Sequence, residues 1–286
     1  MRVLLIIVAL FMFPNANASF YNNNVNSFFK MLYNYKFESA DSILKIIETQ
    51  NLDRGYISLL HVSFKWNKIL SGCDDKSSIE NCLEYTNRAI KQQLVSYNSK
   101  STDGNYYLMF LYGYKARLSN LLGKEIYGAK YFFDGIKYLE KLDTSNSERK
   151  EFYNLAAGMY YCMIGYAYKS HPYLIIFSKY THYADIQRGH DLLILGSNSK
   201  FSFIQVESLY FLVKIYSEVE KNNEMALNYN SKLLEKAPGN LLFNYYSIKI
   251  LKSQGKILQA KQKMIDLRTF AKNNNELTHD QKEHFL

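Results

Sequence analysis

Three histidines and two aspartates lie close together between positions 171 and 191. They are His171, His182, Asp185, His190 and Asp191. His182 and His190 are about two helical turns apart, so one face of a helix could present both. A metal site needs three or four converging ligands, and no cysteine or further carboxylate follows at the spacing of a known motif. We therefore favour surface or capping histidines. An enzyme or ligand-binding site around His182, Asp185 and His190 stays open as the alternative.

Other patterns that could support catalysis lack the residues that must accompany them. Ser-x-x-Lys occurs at Ser27–Lys30, Ser42–Lys45 and Ser147–Lys150, without the further motifs of the enzymes that use it. His279 and His284 lack the glutamate of a zinc-protease helix. The chain also has no nucleophile elbow, phosphate-binding loop or dinucleotide fingerprint. We expect no enzymatic activity and no cofactor.

The chain has three cysteines, and two of them flank a polar connection. Cys73 and Cys82 could form a disulfide that ties a loop to the start of a helix, since export leads to an oxidising compartment. Cys82 also occupies a position that holds small residues in other parts of the chain, so a buried small residue is the alternative. Cys162 lies in an apolar segment and is expected to be a buried thiol.

Aromatic residues are abundant, with 26 tyrosines and 18 phenylalanines. Tyr106, Phe110, Tyr114 and the single tryptophan, Trp66, are candidates for a partner surface, because large aromatic side chains anchor interfaces. Phe110 and Tyr114 also follow a helical stripe that would serve as core. We favour the core interpretation and keep the partner surface as the alternative.

The first 18 residues have the pattern of a secretory signal. Arg2 precedes the apolar run 3–13, and Ala16 and Ala18 fit the small-x-small cleavage pattern, so the mature chain is expected to begin at Ser19. Eleven apolar residues rise about 16 Å as a helix, whereas a bilayer core is about 30 Å thick, which disfavours an uncleaved anchor. No cysteine lies near the cleavage site to carry a lipid. We expect an exported protein of the periplasm or the extracellular space that is not a lipoprotein.

The composition indicates helices and excludes some partners. Only 3 prolines and 13 glycines are present, too few for the frequent turns of an all-β protein. The net charge is +9, but lysines and arginines are mixed with acids, and no nucleic-acid-binding motif occurs. We expect no nucleic-acid partner and no transmembrane span. Peripheral contact of the basic protein with an anionic envelope surface remains a hypothesis.

Small residues recur in a series of amphipathic segments, each preceded by a more apolar segment. We expect the small residues to lie where the second helix of each helical pair packs against the first. They are Ala40, Cys82, Ala129, Gly189, Ala226 and Ala260. The predicted first helices include residues 57–70, 106–122, 206–219 and 241–253.

The C-terminal part carries the most regular spacing. Ala226 and Ala260 are 34 residues apart, and Pro238 follows Ala226 where a second helix would end. Gly123 and Gly255 are placed to supply the left-handed cap of a turn between two helices. These residues resemble the tetratricopeptide repeat family, and the wider order resembles signal-bearing repeat proteins of Gram-negative bacterial envelopes. The resemblance implies an α-solenoid whose concave groove binds proteins or peptides.

We therefore expect an all-α fold, an irregular right-handed solenoid of about six helix-turn-helix pairs. The predicted parts are a signal at 1–18, the solenoid at 19–272 and a polar end or short capping helix at 273–286. The spacing of the small residues is widest in the fourth unit, 152–195. The expected function is a non-enzymatic scaffold or adaptor that binds a protein or peptide in the cell envelope. An enzyme or ligand-binding protein with its site in the fourth unit is the alternative.

Overall fold

The computed structural model describes residues 22–98, 102–170, 182 and 184–284. Within these ranges the chain forms helices and contains no strand, which confirms the all-α class. The predicted signal, with Ala18 and Ser19, and His171 lie outside the described residues. The helices are α1 (Asn23–Tyr33), α2 (Phe37–Glu48), α3 (Arg54–Leu70), α4 (Lys76–Val95), α5 (Thr102–Leu121), α6 (Glu125–Leu139), α7 (Ser147–Ser170), α8 (Ile186–Ser197), α9 (Ser202–Lys214), α10 (Asn223–Lys236), α11 (Leu241–Ser253), α12 (Ile257–Asn273) and α13 (His279–His284).

Side-chain caps define where several helices begin. The Asp53 carboxylate accepts a hydrogen bond from the Gly55 amide at 2.6 Å, at the start of α3. The Asn240 side chain accepts from the Phe243 amide at 3.1 Å, at the start of α11. These bonds satisfy backbone N–H groups that have no partner in the first helical turn. Asp53 and Asn240 therefore mark the points at which the preceding connections end and the helices begin.

Left-handed residues close the turns between several consecutive helices. Gly123 has φ 70° and Gly255 has φ 73°, as predicted for the turns from α5 to α6 and from α11 to α12. The following amides reach back across each turn, from Lys124 to the Ser119 carbonyl at 2.9 Å and from Lys256 to the Leu251 carbonyl at 2.9 Å. This bonding satisfies the last carbonyls of the helix and reverses the chain within three residues.

Consecutive helices pack as pairs, with small residues at their contacts. α1 packs on α2, α3 on α4, α5 on α6, α7 on α8, α9 on α10 and α11 on α12. Ala40, Ala226 and Ala260 are completely buried, as expected for the contact positions. In the third pair the expected residue, Ala129, is exposed, and its neighbour Gly128 is buried instead. A Cβ on Gly128 would lie 1.8 Å from the Asn120 Oδ1 atom, so the predicted register was wrong by one residue.

Glycines bring α7 and α8 into close contact. A Cβ on Gly189 would lie 2.8 Å from the Cys162 amide nitrogen and 3.0 Å from the Gly158 carbonyl oxygen. Real Cβ atoms essentially never approach within 3.0 Å, so the two backbones meet at a distance that only glycine permits at this position. Small residues on both helices therefore permit the close backbone contact between α7 and α8 in the fourth unit.

An aromatic cluster joins helices from distant parts of the chain. The Phe203 ring of α9 lies 4.8 Å from the Phe29 ring, 5.5 Å from the Phe110 ring and 6.1 Å from the Phe152 ring, measured between centroids. These partners belong to α1, α5 and α7. Aromatic pairs at such distances add to the free energy of burial, so this cluster stabilises the packing of α9 with α1, α5 and α7.

Helices of the N-terminal half of the described chain contact helices of its C-terminal half. The Asn240 side chain donates to the Tyr33 carbonyl at 2.9 Å, and the Ser202 amide donates to the Asn26 side chain at 2.8 Å. The Gln281 side chain of α13 donates to the Ser71 hydroxyl at 2.5 Å, so the C-terminal helix covers the turn between α3 and α4. In an open solenoid each unit touches only its sequence neighbours. Here α1 also packs on α9, which the sequence did not predict.

The cysteines are free thiols, so the disulfide considered between Cys73 and Cys82 is not formed. Cys82 is 1% exposed and faces the core from α4, whereas Cys73 is half-buried in the turn before that helix. Burial raises the pKa of the Cys82 thiol to about 11 and that of the Cys162 thiol to about 12. Both behave as small apolar core residues, in agreement with the alternative for Cys82 and the expectation for Cys162.

In the part of the chain that the structure describes, no helix combines the length and the apolar character that crossing a membrane requires.

Candidate functional site

The histidines and aspartates of the fourth unit do not form one site. The His182 imidazole lies 3.4 Å from the Glu140 carboxylate and is largely exposed. Asp185 caps α8 by accepting from the Arg188 amide at 2.9 Å. His190 is buried elsewhere, and no three histidine, cysteine or acidic side chains of the described residues are grouped so that they could hold a metal. The hypothesis of a site at which His182, Asp185 and His190 converge is therefore wrong.

His190 belongs to a buried polar cluster. Its two ring nitrogens lie 3.1 Å from the Tyr166 hydroxyl and 3.2 Å from the Tyr216 hydroxyl. The Tyr166 hydroxyl also donates to the Glu220 carboxylate. Burial lowers the pKa of His190, and the nearby Glu220 and Asp191 carboxylates offset this shift only in part. The neutral imidazole thus links α7 and α8 to the π-helical segment Ile215–Val219, which follows α9.

The candidate aromatic surface is part of the core. Trp66, Tyr106, Phe110 and Tyr114 are each at most 8% exposed. The Tyr106 hydroxyl donates to the Asp143 carbonyl at 2.8 Å, and the Tyr114 hydroxyl shares a hydrogen bond of 3.0 Å with Ser63. Burial places all four residues in the core, as the favoured interpretation predicted, and leaves Trp66 and Tyr106 inaccessible to a partner. Phe110 and Tyr114 do reach the bottom of a cleft, which is described next.

An apolar cleft opens between α6 and α7. It has a volume of about 900 Å³, within the range of known ligand sites. The cleft exists because α6 packs along α5 but meets α7 only sparsely, whereas α4 on α5 and α8 on α9 pack closely. Successive pairs also pack closely where α10 meets α11, whereas α2 and α3 meet sparsely. At the junction of the third and fourth pairs, α6 and α7 leave a gap.

The walls of the cleft come from three helices. Met109 and Phe110 line it from α5, and Met159 and Met163 line it from α7. On the α6 side, Ile126 stands at the mouth and is 86% exposed. Met163 is 43% exposed on the opposite wall. Methionine side chains are unbranched and adapt to different shapes, so these walls suit an apolar occupant of irregular outline.

A charged pair forms part of the bottom of the cleft. The Arg117 guanidinium lies 3.6 Å from the Glu207 carboxylate, and that carboxylate accepts a hydrogen bond of 3.0 Å from the Tyr33 hydroxyl. The guanidinium also lies over the rings of Phe211, at 4.8 Å, and Tyr114, at 5.6 Å. Its side chain is 21% exposed and the Glu207 side chain 8%. Arg117 is therefore the more accessible member of this pair. Further charged residues line the cleft from α6, namely Glu125, Lys130, Asp134 and Lys137.

Tyr160 contributes a buried hydroxyl to the wall of the cleft. The residue is 3% exposed, and its hydroxyl is buried without a hydrogen-bond partner among the described residues. A Cβ on Gly135 of α6 would lie 2.2 Å from this hydroxyl, so the tyrosine reaches across from α7 to α6. Burial raises its pKa, and the positive charge of Arg117 opposes the shift. A buried hydroxyl without a partner is uncommon and calls for an explanation.

A second cavity, of about 720 Å³, is polar. Lys30, Lys36, Lys200 and Lys236 line it together with Glu235, where α1 meets α9 and α10. The cavity therefore brings together four lysines from different parts of the chain. Its cations lie at the molecular surface, where water screens their attraction for an anion.

The sequence predicts the helices that form the cleft but does not predict the cleft itself. Met109, Met159 and Met163 had the appearance of ordinary core residues, and Arg117 that of a solvated charge. One signal was present in the sequence. Gly128 and Gly135 lie on the face of α6 that packs in the pair. Ile126 is apolar although it lies on a different face of the same helix.

The geometry of the cleft is the main guide to function. Comparisons with protein-family models, with curated proteins and with solved structures found no match for this chain.

Proposed function

We propose that this chain is a non-enzymatic binding protein that acts as a scaffold or adaptor in the cell envelope. In this proposal its partner is a protein, and the apolar cleft between α6 and α7 receives an apolar segment of that partner. One observation carries the proposal. The cleft exposes the apolar side chains of Ile126 and Met163 on opposite sides of its mouth. Burying such surface against a partner is the main source of free energy in protein association.

The arrangement of the helices supports binding at this place. We propose that the chain is a divergent member of the tetratricopeptide repeat type, with about six helical pairs in a right-handed array. The aromatic side chains of Phe110 and Phe203 contact each other and line this cleft, so the junction offers an apolar surface to a partner. α7, which forms one wall, lies largely within the fourth unit, where the repeat spacing is least regular.

Export is part of the proposal. The predicted signal at 1–18 would direct the protein to the periplasm or the extracellular space, with a mature chain that begins at Ser19. N-terminal sequencing of the protein from fractionated cells tests this. Material that begins at Met1 and remains in the cytoplasm would contradict it.

Photocrosslinking in the native host tests the binding site. A photoreactive phenylalanine analogue replaces Ile126, and in a matched control it replaces Leu258. Both residues are second in their helix, α6 and α12, and their exposed fractions are 86% and 82%. We expect one dominant crosslinked protein from position 126 and none from position 258. Ile126→Asp should reduce co-purification of that protein at least tenfold, and Leu258→Asp should leave it unchanged.

Two results would overturn the proposed function. The first is equal crosslinking at both positions. The second is a partner that co-purifies equally with the Ile126→Asp and Leu258→Asp proteins.

A further inference from the structure

The junction between α6 and α7 has the form of a site for one further helix. At several other junctions the second helix of one pair packs closely on the first helix of the next, as α4 does on α5, α8 on α9 and α10 on α11. Helices that pack together lie about 8 to 10 Å apart, and a groove between two splayed helices takes the apolar face of a third. The methionines of the walls would contact that face.

The bottom of this groove is not apolar throughout. Arg117 has five N–H donors, and among the described residues its guanidinium contacts the Glu207 carboxylate at 3.6 Å and three aromatic rings, without a hydrogen bond. Glu207 is better satisfied, since the Tyr33 hydroxyl donates to it at 3.0 Å. The accessible group is therefore a cation whose hydrogen-bond donors are unused.

Tyr160 carries a further unsatisfied polar group in the wall of the same cleft. Its hydroxyl is buried beside the cleft without a partner among the described residues. A hydroxyl can donate to a carboxylate, and a guanidinium binds a carboxylate more strongly than it binds a neutral acceptor. A carboxylate in the cleft would therefore supply the hydrogen-bond acceptor that the Arg117 guanidinium lacks among the described residues.

We propose that the partner segment is an amphipathic helix that carries one acidic side chain within its apolar face, and that this carboxylate binds the Arg117 guanidinium. The inference rests on the proposed function, because it names the chemistry of the segment that the cleft receives. The apolar residues of the helix contact the methionine walls, and the acid specifies its register. A helix with a basic residue at the same place would be rejected, because that residue would meet Arg117.

Selection from a helical peptide library tests this chemistry directly. The probe is an 18-residue alanine-rich host helix whose apolar-face positions are randomised, displayed against the purified protein. The comparison protein is the double variant Arg117→Met/Glu207→Gln, which removes both charges together and leaves no unpaired ion at the bottom of the cleft. We expect aspartate or glutamate to be enriched at one apolar-face position with the wild-type protein and not with the double variant.

Affinity measurements on the best binder then give the size of the effect. Changing its acidic residue to the amide should weaken binding to the wild-type protein about tenfold, because a charge-assisted hydrogen bond becomes a neutral one. The same change should have little effect on binding to the double variant. This coupling shows that the acid acts through Arg117.

The outcomes separate this inference from the proposed function. If the selected helices require the cleft, as shown by loss of binding to Met163→Asp, but tolerate the amide without loss, the acidic contact is wrong and the binding site stands. If no selected helix is sensitive to Met163→Asp, both fail. If dodecanoate occupies the cleft while no helix does, the occupant is a lipid-like carboxylate and the helix proposal is overturned.

Discussion

At the scale of single residues, burial decides what the chemically active side chains of this chain do. His190 and Asp185 lie five positions apart in the sequence, yet one joins a core network with Tyr166 and Tyr216 while the other caps a helix. Their spacing predicted one candidate site, because spacing determines which face of a helix a residue occupies. Spacing does not determine whether that face contacts water or another helix.

The buried imidazole of His190 predicts a dependence of stability on pH. Its pKa is lowered from 6.5 by burial, so below that pH the unfolded chain takes up a proton that the folded protein resists. The free energy of unfolding should therefore fall as the pH decreases from about 7.5 to about 5.5, and the fall should be smaller in His190→Gln. Urea unfolding at the two pH values measures this.

The control for this experiment is His279→Gln, which changes an exposed histidine of α13. It should keep the full wild-type dependence on pH. Identical pH dependence in the wild-type, His190→Gln and His279→Gln proteins would show that the imidazole of His190 does not resist protonation in the folded state.

At the scale of helices and turns, much of the fold could be predicted from the sequence. Gly123 and Gly255 indicated their turns because a left-handed residue is most easily supplied by glycine. The turn at Lys221, with φ 56°, shows that other residues adopt the same conformation where the flanking helices require it. The shift from Ala129 to Gly128 could not be predicted, because two adjacent small residues satisfy the helical pattern equally well.

Two glycines of the α5 and α6 region should respond oppositely to alanine. Gly123→Ala places a Cβ in open space but at φ 70°, so it should destabilise the protein by about 1 kcal/mol through backbone strain alone. Gly113→Ala also meets open space, but within helix α5, and should stabilise the protein by roughly 0.5–1 kcal/mol. Urea denaturation of both variants measures the difference. Changes of the same sign would contradict the assigned conformations.

At the scale of the whole molecule, contacts between the ends turn an array of neighbours into one cooperative unit. Phe203 of α9 contacts Phe29 of α1, and Gln281 of α13 bonds to Ser71. The sequence did not reveal this closure, because periodicity reports only contacts within and between successive helices. The cleft escaped prediction for a related reason, since it depends on how far α6 and α7 diverge.

Closure predicts that distant parts of the protein unfold together. Trp66 of α3 is the single tryptophan, so its fluorescence reports the N-terminal half, while circular dichroism reports all helices. The two urea transitions should coincide, and Phe203→Leu, which costs about 1 kcal/mol, should lower both midpoints equally. A variant that lowers the circular dichroism midpoint and leaves the Trp66 midpoint in place would show an open, weakly coupled array.

The central claim is that the cleft between α6 and α7 binds the partner, and methionine-methyl NMR tests it most directly. Met109, Met159 and Met163 line the cleft, whereas Met225 and Met264 lie outside it. The protein is labelled at its methionine methyl groups and titrated with the partner segment identified by crosslinking at position 126. We predict shifts for Met109, Met159 and Met163, with Met225 and Met264 unchanged. Shifts confined to Met225 or Met264 would contradict the account.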